Sequence, residues 1–314
     1  MAAGPTAGAL GGLAAAAAAV PPTEATIDLA GEAVRFRVAG PDLAAAVLRP
    51  FAPLRTSADP VATVELWSAE ETGVELPESI TPERWRIHAD PDWMLHVQGR
   101  AATALDRHSG SIVGHRLSAG AMTAHERTKV FPEVLALWLL DRGVLKVHAG
   151  CVEGALLVGK SGSGKSTATL AATASGRAML GDDHVAVRGD VVHAVSAAIR
   201  VQPSVLDAAP WLRSAGDVVD IPGDKSMVFV PRLGPPAPVR VVLAPTAAPG
   251  TGLRPLRPAE ALRVLAPSTL MGVVGGGAAA FQAMGDLVAG VPAFALHHGG
   301  DPAVAAALIG EALA

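Results

Sequence analysis

Eight residues, Gly159-Lys160-Ser161-Gly162-Ser163-Gly164-Lys165-Ser166, restrict what this chain can fold into more than any other stretch. A short apolar run, Ala155–Val158, precedes them, and a segment of helical character, Lys165–Ser175, follows, so a glycine-rich loop joins a strand to a helix. The spacing G-x-x-x-x-G-K-[ST] has a physical reading. Glycines let successive backbone N–H groups curl round an oxyanion, and the helix N-terminus adds about half a positive charge. Lys165 is placed to neutralise β- and γ-phosphate oxygens, Ser166 to offer a hydroxyl to Mg²⁺, and Thr167 belongs with the loop residues to the expected nucleotide-binding set. ATP or another nucleoside triphosphate, with Mg²⁺, is the ligand expected.

The residues on either side extend this picture. A strand expected at Ala178–Leu180 runs into Gly181-Asp182-Asp183, so strand, loop, helix and strand follow in the order of a parallel βαβ unit. A carboxylate at such a strand end is where Mg²⁺ is held or an acceptor proton removed. Upstream, Val144–Val152 reads as one apolar strand carrying His148 and Cys151, the cysteine as a small buried residue. Phe131–Arg142 reads as a buried helix with Pro132 in its first turn and Gly143 beyond its end.

Taken together, His148-Ala149-Gly150, the strand to Val158, the loop, the helix to Gly176 and Leu180-Gly181-Asp182-Asp183 resemble the HPr kinase/phosphorylase superfamily, whose core is also similar to phosphoenolpyruvate carboxykinase. The likeness covers Glu126–Gly189, and more loosely the strand Pro292–Gly300 with the last helix. It implies an α/β fold with a P-loop kinase domain at the C-terminus. It further implies that Asp182 acts on the acceptor hydroxyl proton with help from His148, that Asp183 and Ser166 serve Mg²⁺, and that the γ-phosphoryl passes to a serine of a peptide or small protein. One departure matters. The Gly-rich signature that follows the Asp pair in HPr kinases is missing; the chain reads Ile199-Arg200-Val201-Gln202-Pro203 and, later, Ile221-Pro222-Gly223-Asp224-Lys225-Ser226. The chain is in this respect more similar to HPr-kinase-related proteins of biosynthetic clusters, including lasso-peptide tailoring kinases. A small-molecule hydroxyl kinase and a nucleotide-hydrolysing regulator are the alternatives. Lys225 and Arg200 are further candidates for phosphate contact, and His297-His298, lacking a third ligand at a sensible spacing, reads as a strand-end pair.

Composition bounds the rest. The 314 residues exceed one ordinary domain and predict a flexible Ala-rich leader (1–22), a small mostly β domain (23–125) and the P-loop domain (126–314). In the second region, period-2 runs at Ala33–Val38, Ala62–Trp67, Trp93–Gln98 and Ala102–Asp106 predict strands, with a helix near Pro41–Leu48. A net charge of −4 with scattered lysine and arginine argues against nucleic acid as a partner. Neither the alanine run Leu13–Val20 nor Leu270–Phe281 suits a membrane span. A single cysteine fits a cytoplasmic setting, and the lack of tyrosine removes that side chain as a catalytic acid. A homo-oligomer is compatible with all of this.

Overall fold

The computed structural model describes residues 4–80, 83, 86–208, 210–221, 225–246 and 249–314. The chain is mixed α/β and forms two compact units, Met1–Arg142 and Gly143–Ala314. The helix Pro132–Leu140 therefore belongs to the first unit, and the division falls later in the chain than the expected 125/126.

The first unit is built on a seven-stranded mixed sheet. Its spatial order is Pro22–Leu29, Glu32–Ala39, Ala62–Ser68, Ile112–Arg116, Ala101–Asp106, Trp93–Gln98 and Ile87–Ala89. Alternation sets the faces: Val34, Phe36 and Val38 are buried, while the intervening Arg37 reaches Glu24 and Glu65. Positive φ at Ala30 (59°) and Gly31 (86°) gives the first hairpin the turn that matches strand twist. The leader departs from expectation. Gly4–Ala17 is a helix, and its Leu10, Ala14 and Ala17 are buried against Trp67, Leu95, Val97 and Ala102. Alanine is the best helix former, and leucine at position 10 supplies the apolar contact that docks it.

The second unit centres on a six-stranded sheet ordered Met179–Gly181, Ala149–Val152, Ala155–Val158, Val241–Thr246, Ala293–His298, Thr251–Pro255. Helices Lys165–Ala174 and Pro302–Leu313 cover it through Ala168, Ala172, Ala305, Leu308 and Ile309, packed on Val152, Leu157, Val241, Leu243 and Leu296. Ala155–Val158 and Met179–Gly181 run in the same direction, as a βαβ unit requires. They are not neighbours, however, because Ala149–Val152 is inserted antiparallel between them. The expected single strand Val144–Val152 is also divided. Val144–Val147 pairs with Val185–Arg188 in a separate four-stranded sheet, Ala149–Val152 joins the six-stranded one, and His148 is the residue at which the chain changes sheets. Among the described residues no helix is long and apolar enough to cross a membrane.

Candidate active site

The loop leaves Val158 at the carboxyl end of its strand and enters the helix at Lys165. Gly159, Gly162 and Gly164 take φ values of 141°, 79° and 95°, where an L side chain is strained. At Gly159 a Cβ would also stand 2.8 Å from Ser163 Oγ, so that hydroxyl would have to move. Lys165 is buried, and its Nζ donates to the carbonyl oxygens of Gly159 (2.7 Å) and Lys160 (3.1 Å). The ammonium is thus held across the loop by groups that a phosphate oxygen can replace at little cost. Lys160, Ser161 and Gly162 are exposed, Ser163, Gly164, Ser166 and Thr167 partly so.

The two aspartates part company. Asp182 is 5% exposed and lies beside Ser166 and Lys165. Burial, reinforced by the neighbouring Asp183 charge, pushes its carboxyl up to about 6 against the opposing effects of the Ser166 hydroxyl and Lys165. Asp183 has φ 72°, and the His184 N–H closes a tight turn by donating to Asp182 O at 2.9 Å. The left-handed residue sends the second carboxylate elsewhere: Asp183 Oδ1 is 3.3 Å from His148 Nδ1. The His184 ring stands edge-on to His148 at 5.2 Å, and ligand atoms of His148, Asp183 and His184 lie within 4.8 Å of one another.

This pairing reverses the one expected from the resemblance. Asp182, not Asp183, faces Ser166 at the phosphate loop, and Asp183 is the partner of His148. Among the described residues Asp182 Oδ1 is buried without a hydrogen-bond partner, so a carboxylate and a hydroxyl, both hard oxygen donors, converge where Mg²⁺ would balance the charge; the residues present fit that ion. Gly150 makes the arrangement fit sterically. A Cβ there would stand 2.1 Å from Thr169 Oγ1 and 3.3 Å from Asp182 Oδ1.

The other expected residues are elsewhere. Lys225 immediately precedes the strand Ser226–Phe229, and Arg200 lies in Ala198–Val201, which pairs with it in a three-stranded sheet. Neither lines the cavity at the loop, whose cations are Lys160, Arg254 and Arg263. Pro222, Gly223 and Asp224 lie outside the described residues. Cys151 is buried, as expected, and burial pushes its thiol up to about 12, which makes it inert.

Two histidines at the site escape sequence reasoning. His184 directly follows the Asp pair, and that adjacency was the available signal. His298, by contrast, lines the cavity at the loop because Ala293–His298 lies parallel to Val241–Thr246, itself parallel to the loop's strand. No local pattern announces that. No protein-family model matches the chain, and no curated protein matches it.

Proposed function

We propose that this chain is an ATP- and Mg²⁺-dependent phosphotransferase that moves the γ-phosphoryl group to a hydroxyl, with serine of a peptide or small protein as acceptor. The observation that carries the reading is the convergence, at one end of the six-stranded sheet, of a phosphate loop, a buried carboxylate beside its serine, and a separate carboxylate–imidazole pair. Phosphoryl transfer asks a protein chiefly for positioning and charge neutralisation, and these are the groups that supply both. Lys165 and the loop N–H groups hold the β- and γ-phosphates. Ser166 and Asp182 would hold Mg²⁺, which would supply neutralisation of the phosphate charge. The Asp183 carboxylate, oriented by His148, takes the proton of the acceptor hydroxyl as its oxygen bonds to the γ-phosphorus and the bond to the β-phosphate bridging oxygen breaks, releasing ADP.

Incubation of the full chain with ATP, Mg²⁺ and serine-containing peptides, read by mass spectrometry, tests this. The expected result is the gain of one phosphoryl group on the peptide, lost in Asp183→Asn with nucleotide binding retained. ADP release that no acceptor diverts, or wild-type transfer by Asp183→Asn, would sink the assignment.

A further inference from the structure

A cavity of about 1080 Å³ opens beside the phosphate loop, far more space than a triphosphate occupies. The sheet order puts Asp182 on one side of the loop's strand and most of this cavity on the other, across the carboxyl ends of Val241–Thr246 and Ala293–His298 and against the helix Pro258–Leu270. A nucleotide whose γ-phosphate meets Asp182 therefore extends its other end into it.

The lining has a definite chemistry. Pro245, Val264, Pro267 and Ala295 make aliphatic walls, Lys160, Arg254 and Arg263 bring positive charge, Thr246 and Ser268 add a hydroxyl each, and no carboxylate or side-chain amide is among the described lining residues. An anion with a flat apolar body is complementary to such a surface. His298 adds an independent observation. It is 8% exposed, and its Nδ1 accepts from the Gly300 N–H at 3.2 Å, so the neutral ring carries its proton on Nε2. That Nε2–H is buried and has no partner among the described residues, and the ring lies against the loop, 3.3 Å from where a Cβ on Gly164 would be. A buried donor with no acceptor in the protein calls for one in the ligand.

We propose that this cavity seats the nucleoside of a nucleoside triphosphate, that His298 donates its Nε2–H to the phosphate chain, and that the base is held by its faces rather than read at its edges. The inference rests on the reading of the loop as a triphosphate site. Its consequence is loose base selectivity. Pockets that hydrogen-bond a substrate's polar edge reject analogues by about 10⁴-fold or more, whereas apolar walls discriminate by about 10–200-fold at most. ATP, GTP and CTP should accordingly bind within about tenfold of one another.

Calorimetry on the full chain with Mg²⁺ decides the matter, using ATP, GTP, CTP and inorganic tripolyphosphate as probes. The expected result is that each nucleotide binds at least about tenfold tighter than tripolyphosphate, since the apolar contacts belong to the nucleoside. Val264→Trp, which fills the cavity, should bring the ATP-to-tripolyphosphate ratio close to one. Ala295→Leu, measured the same way, covers the case in which the tryptophan prevents folding. His298→Phe keeps the ring, removes the donor, and should weaken ATP and tripolyphosphate alike by about tenfold. Tripolyphosphate binding as tightly as ATP to the wild type, an unchanged ratio in the filled variants, or a base preference above about 10³-fold would overturn the inference while leaving the phosphate loop intact. Failure of every probe to bind would instead overturn the triphosphate reading itself.

Discussion

In the first unit His115 and Arg116 lie side by side in the strand Ile112–Arg116, both buried, and the fold itself answers most of their polar atoms. His115 Nδ1–H donates to Arg100 O at 2.9 Å and the rest of the ring meets Trp67 edge-on at 5.4 Å; Arg116 donates to Thr103 Oγ1 and His115 O and faces Glu126. Of the described buried side-chain atoms without a hydrogen-bond partner, His115 Nε2 and Glu133 Oε2 lie in the first unit, the latter 3.4 Å from His96 Nδ1, whereas in the second Asp182 Oδ1, Thr169 Oγ1, Ser163 Oγ and His298 Nε2 gather at or beside the glycine-rich loop or Gly150. A buried group left unsatisfied costs about 1–3 kcal/mol, so four in one place are a concentrated cost that a polar ligand or bound water offsets. Unpartnered buried polar atoms are thus scattered in the first unit and concentrated at the glycine-rich loop in the second.

That contrast can be broken in order of effect. Asp182→Asn should lower phosphoryl transfer by about 10³-fold while leaving the melting midpoint unchanged or raised, because a desolvated carboxylate beside Asp183 is replaced by a neutral isostere. A drop in midpoint would mean that Asp182 serves the fold after all. Gly150→Ala should cost about 10²-fold in transfer, since the new Cβ must displace Thr169 and crowd Asp182. Measured nucleotide affinity distinguishes this from loop damage: it should change less than the rate does.

The first unit should answer in stability rather than activity. Leu10→Ala should lower its unfolding free energy in urea by about 2–3 kcal/mol, whereas a frayed leader would show no change. The smallest effect is pH-dependent. Burial pulls His115 down to about 4 from an ordinary 6.5, so the folded unit keeps it neutral while the unfolded chain takes up a proton. Its contribution is full above pH 6.5 and is lost as the pH falls towards 4. Stability should decline by about 2 kcal/mol between pH 7 and pH 5, and His115→Phe should flatten that slope. An unaltered slope would show that other groups control it.

Much of this was legible in the sequence where the determinants are local. The strands Ala62–Ser68, Trp93–Gln98 and Ala101–Asp106 and the helix Pro41–Leu48 lie within a residue of where alternation and the proline in the first turn put them. Illegible parts depend on distant partners. His148 interrupts an apolar run that looks continuous, because Val144–Val147 and Ala149–Val152 find different sheets to pair with. The helix Pro258–Leu270 continues beyond the expected Val264 and includes Pro267, and it lines the cavity with residues that composition alone does not single out. Likewise the alanine-rich N-terminal segment reads as a leader until Leu10 is seen to have Trp67 and Leu95 to cover.

Sequence alone determined the glycine-rich loop, because its shape depends on glycine φ values, backbone N–H direction and one lysine, all contained within eight consecutive residues. It also determined that two acids end a nearby strand. Which acid faces the loop was decided by the left-handed turn at Asp183. The partner of the other was decided by the sheet change at His148, and the approach of His298 to Gly164 by parallel pairing across 134 residues of chain. Such pairings are set by the burial of whole faces, a property of the folded chain that no short stretch of sequence carries.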